Sequence, residues 1–298
     1  MNELIEKRPE EYAPTLSSSM VLVGLNQHVP TFKKLDKKQT AKLNRECNAE
    51  RNTASVRKQY IQCEELTVLN KVKSDQYDFH IGSTVPWFDG GIRGLYNKFL
   101  QGYMTEMDEW TALFEEKVEE FMEVYSWEKT EMDARMGSLY DARLYPPEEE
   151  LRKRFGVEVN YIVLAEAGDF RCEVAAEAAE VVRTGYDKLL NDRKEAAYKD
   201  VYNRLLEPIQ NMSKMLDYRD GEKPTGFRDT LVPNVEKMLE VLRVCNVGDD
   251  PEMERTRLAL ANVLQGVSCD SLREDGSLRS NTKRDLDAII KNLPTLNI

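Results

Sequence analysis

The chain has 298 residues, 41% of them hydrophobic and 32% charged, with a formal net charge of −11. That length buries a core without disulfides or metals, and so much charge with only 15 glycines favours long solvent-facing helices over a compact sheet enzyme. No window holds the roughly 18 uninterrupted apolar residues of a membrane span, and MNELIEKRPEEY at the start has no signal-peptide core, so a cytoplasmic protein is expected.

In chain order, Ser19 to Val29 is rich in β-branched residues and closed by Pro30, which reads as a strand. Lys37 to Asn48 reads as a short helix capped by Asp36, and Ser55 to Lys73 as a second, with Val56, Tyr60, Cys63, Leu66 and Leu69 on one face. A loop then carries Thr84-Val85-Pro86-Trp87-Phe88-Asp89-Gly90-Gly91. Gly90, Gly91 and Gly94 are expected to form a tight turn opening the next helix, with Asp89 as its cap. Beyond it, Tyr103, Met107, Trp110, Phe114, Val118, Phe121 and Tyr125 recur at steps of three and four, a coiled-coil-like seam that predicts a long helix against a long partner.

The pattern breaks at Tyr145-Pro146-Pro147, and Glu148 to Arg154 reads as a short helix started by proline. Val157 to Leu164 and Phe170 to Val174 read as strands, and Glu173 to Leu216 returns to helical period, with a kink or break expected near Glu207 because Pro208 lacks a ladder donor. Asp220 to Gly226 marks a boundary, followed by helices over Leu231 to Val244, Pro251 to Gln265 capped by Asp250, and Thr282 to Leu293.

These elements predict a mainly α (α+β) fold: a long antiparallel helical hairpin, a small sheet of about three strands and a C-terminal helical bundle. Residues 1–18 are expected to be a flexible N-terminus, 19–220 the hairpin with its sheet, and 221–298 a helical segment packed on it. The hairpin is expected to interlock residues 97–135 and 174–216 through Phe114, Val118, Phe121, Val182, Leu189 and Val201.

Little in the chain resembles a reaction centre. Cys47, Cys63, Cys172, Cys245 and Cys269 are odd in number and irregularly spaced, which argues against a disulfide framework or zinc cluster and for buried free thiols. His28 and His80 are the only histidines, and neither follows a glutamate by three residues as a di-iron bundle would require. Asp75, Asp78 and His80 could be imagined as metal ligands, but a polar cluster ahead of a loop explains them. Gly90-Gly91 at a helix start could hold a phosphate, yet no lysine stands where one is needed. The reading is of a protein that is not an enzyme and has no cofactor and no metal.

Charge is unevenly spread: 15 basic and 12 acidic residues in 1–100, 8 and 21 in 101–180, 19 and 20 in 181–298. The acidic third repels nucleic acid, so direct nucleic-acid binding is not expected, although the Lys33-Lys34 to Lys58 region is mildly basic. Its helix face carries Glu115, Glu116, Glu119 and Glu120, either a solvated surface or a docking face. Trp87 and Phe88 either staple their loop to the core or anchor a partner. These six residues are the candidate interface. Uncovered seam residues would also favour a homo-oligomer.

The order of motifs, Thr84 to Gly91, the acidic helix with Phe114 and Phe121, Leu144-Tyr145-Pro146, Phe155-Gly156-Val157 and Asp169 to Val174, resembles a family of bacteriophage proteins known as a domain of unknown function, over residues 20 to 245. Genes of that family often sit beside a MoxR-like AAA ATPase and a von Willebrand factor A protein related to the cobaltochelatase T subunit. The resemblance implies a non-enzymatic phage protein in the host cytoplasm, acting as adaptor or assembly component for that ATPase system. It assigns no catalytic residues. The alternative is an inhibitor of a host defence factor whose acidic face mimics nucleic acid, with a hydrolase using an unrecognised carboxylate site behind both.

Overall fold

The structure is a computed structural model that describes residues 19–51, 53–164, 176–218, 227–246 and 249–293, and for 176–179 the backbone only. Helix accounts for 68% and strand for 12%, so the mainly α class holds, with a small antiparallel sheet inside it. The expected flexible N-terminus, the Phe170 to Val174 strand and the Asp220 to Gly226 boundary fall outside the described residues. The chain divides into two compact units, one of residues 1–24, 81–103 and 160–298, the other of 25–80 and 104–159.

A sheet of order β4-β5-β1-β6 has four strands where about three were expected; β4, β5, the start of β1 and the end of β6 belong to the first unit. Here β1 is Met20–His28, β4 Val85–Pro86, β5 Ile92–Tyr96 and β6 Gly156–Val163. Strand β5 pairs antiparallel with β1, Met20 opposite Tyr96 and Gly24 opposite Ile92, and with β4, Val85 opposite Gly94. The extra strands come from the glycine loop. Gly90 and Gly91 both take φ of +86°, which turns the chain back on itself, and the Phe88 N–H donates to the Ile92 carbonyl at 3.0 Å. Two left-handed residues in succession make a hairpin rather than a helix start. The expected helix therefore begins later, and Asp89 does not cap it.

Gly94 fits its strand for a steric reason. A Cβ there would lie 2.5 Å from Met20 Sδ and 3.2 Å from Val85 Cγ2, both on buried side chains.

Two long helices follow the strands, α3 over Leu100–Met136 and α5 over Ala176–Met215. Before them in the chain come α1, Lys37–Glu46, and α2, Glu64–Ser83. Within the first unit, Ala197, Val201, Leu205, Ile209 and Met212 of α5 are buried with Met20, Leu22 and Val85 from the sheet and with Trp87, which follows β4. Pro208 does not break α5, which runs unbroken to Met215. Leu205 and Ile209 on either side are fully buried, and their burial outweighs a lost ladder bond of about 3 kcal/mol.

The short helix α4 is Glu148–Arg152, and the C-terminal helices are α6 Leu231–Val244, α7 Pro251–Leu264, α8 Cys269–Glu274 and α9 Gly276–Asn292. Helix α5 packs on α6 and α9, and α7 packs on both of those. The sequence reading missed α8 and started α9 at Thr282. Ser268 and Asp275 look like loop residues but are caps: Ser268 and Ser271 form a capping box, and Asp275 accepts from Ser277 N–H and Leu278 N–H.

In the second unit, Asp36 caps α1 as expected, accepting from Lys38 N–H at 3.1 Å and Gln39 N–H at 3.0 Å. The expected Ser55 to Lys73 helix is wrong at its start. Arg57–Gln59 forms β3, antiparallel to β2 at Lys33–Leu35, and the helix begins only at Glu64. Asn44 holds the intervening loop by exchanging two 3.0 Å bonds with the Ala54 backbone. The core is aromatic: Phe32 lies 5.4 Å from Phe121 and 5.7 Å from Tyr60, centroid to centroid.

The expected interlock of the two long helices is corrected by where its residues are buried. Phe114, Val118 and Phe121 sit in a cluster with Leu66, Leu69 and Leu151, whereas Val201 sits in the other cluster and Val182 is 50% exposed. Shared spacing showed that each helix has a buried stripe, but not which partner covers it.

Trp87 is 1% exposed and its indole N–H has no hydrogen-bond partner. Trp87→Ala should therefore cost about 3 kcal/mol or more. Trp87→Phe should cost about 1 kcal/mol or less, since it keeps a ring while removing an unsatisfied donor. Urea unfolding of both variants checks this, and equal losses would contradict the packing described.

Candidate interaction surface

The three-and-four spacing of α3 buries Met107, Phe114, Val118, Phe121 and Tyr125 along one side. Tyr125 closes this seam with its hydroxyl donating to the Pro146 carbonyl at 2.9 Å, and burial pushes its phenol up to about 12. The opposite side follows from the same period. Glu106, Asp108, Glu109, Glu115, Glu116, Glu119 and Glu123 are exposed there, and Glu120 is half-buried.

Of the four glutamates singled out from the sequence, three are compensated within their own unit. Lys117 Nζ lies 2.8 Å from Glu116 and 2.6 Å from Glu120, and Arg152 of α4 pairs with Glu119. The hydrogen bond from Lys117 holds the Glu116 carboxyl below its ordinary range. Glu115 is exposed. The face is acidic, but its field is weaker than the charge count implies, and exposed pairs of this kind add about 0 to 1 kcal/mol each to stability.

Trp127 was passed over in the sequence and is the most exposed aromatic side chain among the described residues, at 59%. It stands two residues after Tyr125, so the helical period that buries Tyr125 turns Trp127 to solvent. The stripe Glu116, Glu120, Glu123, Trp127, Glu131 advances by steps of three and four and shares one face. A tryptophan off a regular seam is the sequence signal that finds it.

Next to Trp127 in sequence, Glu128 is buried at 4% exposure. Its Oε2 makes no hydrogen bond and has only Arg135 at 4.0 Å. Burial raises its carboxyl above the usual range, Arg135 opposes that, and Glu65 and Glu131 add to it.

Trp87 is core and Phe88 is packed against the same cluster, in the first unit, whereas the four glutamates belong to the second. The anchor role weighed for Trp87 is thus unavailable, because its ring is enclosed.

Other residues singled out from the sequence are accounted for locally. Asp75 pairs with Lys71 at 2.6 Å, and His80 is buried on α2. Cys245 and Cys269 are buried, Cys63 is half-buried, Cys47 is exposed, and Cys172 lies outside the described residues, so the buried-thiol reading holds for part of the set. Burial pushes the Cys63 and Cys245 thiols up to about 11, away from thiolate chemistry. Among the described residues no group of three or more His, Cys, Asp or Glu side chains is placed to hold a metal ion. No helix among them is long and apolar enough to cross a membrane. No family model, curated protein or solved structure matches the chain.

Glu128 makes a pH-dependent contribution whose sign follows from burial. Its folded pKa lies above its unfolded one, so its contribution is full below the ordinary carboxylate range and is lost as pH rises through the folded pKa. Glu128→Gln should melt higher than the parent at about pH 7, and should gain less than the parent on acidification to about pH 5. Thermal melts across that range test this, and superimposable pH profiles would contradict it.

Proposed function

We propose that the chain is a non-enzymatic interaction protein, and that it docks a basic, pocketed partner through the Trp127 stripe of α3. The observation that carries the reading is Trp127 itself, 59% exposed on a helix whose other large aromatics are buried or, for Trp110, half-buried. Tryptophan in a ring of charged neighbours has the composition of an interface anchor with a polar rim. The carboxylates around it steer a positively charged surface towards that anchor.

In keeping with the family resemblance, the partner is the AAA ATPase or the von Willebrand factor A protein of a phage-encoded system, with this chain as adaptor or assembly component in the host cytoplasm. The alternative, an acidic mimic of nucleic acid that occupies a host groove, is less well supported. Lys117 and Arg152 compensate three of the glutamates, whereas a mimic needs a regular uncompensated track.

Binding of purified partner subunits by calorimetry, at low and at physiological salt, tests the proposal. Trp127→Ala should weaken association about tenfold or more while leaving the melting temperature unchanged, because the ring contributes little to the fold. Reversal of Glu115, Glu116, Glu119 and Glu120 to lysine should weaken it further and abolish its salt dependence. Parent-like affinity for Trp127→Ala would move the interface elsewhere.

A further inference from the structure

The net charge conceals a local inversion. Residues 33–58 hold nine lysines and arginines against three carboxylates, Asp36, Glu46 and Glu50, in a chain of net charge −11. Two of those carboxylates are engaged: Asp36 caps α1, and Glu46 lies 3.8 Å from Lys42. The β2–β3 ladder then sets Lys34 directly opposite Lys58. Like charges face to face weaken a strand pair; Lys58 is engaged by the fold, donating to the Leu139 carbonyl at 2.9 Å, whereas Lys34 is exposed.

Beside the ladder, a cavity of about 560 Å³ is lined by Leu35, Thr40, Ala41, Asn44 and Ala49 together with Lys37, Arg45 and Arg51. Its polar wall is fixed, since Asn44 is bonded twice to Ala54, and Thr40 Oγ1 accepts from Val56 N–H at 3.0 Å. Its three cations are not. No carboxylate lines the cavity, and Lys37, Arg45 and Arg51 form no ion pair among the described residues. Guanidinium forks match the oxygens of a phosphate.

We propose that the 33–58 lobe binds the phosphodiester backbone of nucleic acid, seating one phosphate among Lys37, Arg45 and Arg51 and tracking its neighbours with Lys33 and Arg57, which share the ladder face of Leu35. The cations continue past the cavity along the ladder, more than a single phosphate group employs, which favours a polyanion. An acidic protein surface fits less well, because the lobe lacks the aromatic anchors on which protein interfaces depend. No aromatic residue occurs from Lys33 to Gln59, so there is no platform for stacking bases. Binding is therefore to phosphates alone and indifferent to sequence. The acidic third does not forbid it, since at physiological salt charges act over about 8 Å.

This proposal uses residues distinct from Trp127 and stands or falls apart from the adaptor reading. Its test is fluorescence anisotropy of the full chain with a labelled duplex of about 20 base pairs, over about 50 to 200 mM salt. The parent should bind two unrelated sequences equally, with log K falling against log salt at a slope of about −3, as for three to four neutralised phosphates. Lys37→Glu with Arg45→Glu and Arg51→Glu should lower affinity at least about tenfold and flatten the slope, and the milder change of the same three residues to Gln should give an intermediate loss. Trp127→Ala should bind duplex as the parent does. The proposal is overturned by absence of duplex binding at the lowest salt, by parent-like binding of the Gln variant with its fold intact, or by polyglutamate competing as well as DNA.

Discussion

In the first unit the fold turns on one carbonyl oxygen. Thr84 is fully buried, and its carbonyl accepts from Arg93 Nη2 at 2.8 Å and Arg204 Nη2 at 3.0 Å, with the Cys245 thiol at 3.8 Å. Arg204 also donates to the Ile81 carbonyl at 2.6 Å and is neutralised by Asp200. Arg93 adds a 2.6 Å bond to the Thr84 hydroxyl. Strand β5, the middle of α5 and the end of α6 are thereby tied to the four residues that lead into the hairpin. Buried carbonyls at the end of a helix need donors, and two guanidiniums supply them here, beside the 3.5 Å bond from the Thr84 N–H to the Ile81 carbonyl.

That knot explains why the aromatic-glycine segment, the most conspicuous feature of the sequence, does not carry the proposed contact. With Thr84 anchored and Gly90-Gly91 reversing the chain, Trp87 falls into the core beside Val85. The proposed contact lies instead on α3, whose buried stripe forces Trp127 and the glutamates outwards. One periodicity thus builds a core and presents a surface.

Local signals were legible and partner identity was not. Helices α1, α6 and α7 begin where Asp36, the Leu231 stretch and Asp250 indicated, because capping and period are properties of adjacent residues. The strand at β1 was equally plain. The turn before Ile92 was misread because glycines are consistent with a helix start or a hairpin, and the deciding quantity is φ. Strand β3 was absorbed into a helix because Arg57–Gln59 earns its conformation from β2, some twenty residues away in sequence. The stripes on α3 and α5 announced buried faces, yet a stripe does not say what buries it. Trp127 lay in view as an aromatic out of phase with its neighbours, and the basic lobe as a run whose exposure only the fold reveals.

A double-mutant cycle on Arg93 and Arg204, each changed to Met to keep its stem packed, tests the central constraint most directly. Either guanidinium alone still serves the Thr84 carbonyl, whereas removal of both takes away its two charged donors in a dry site and leaves the weaker Cys245 thiol at 3.8 Å. The double variant should therefore lose more stability than the two single variants together, by about 1 kcal/mol or more. Additivity within about 0.5 kcal/mol would show that the two arginines act independently and that the shared carbonyl is not what holds the hairpin.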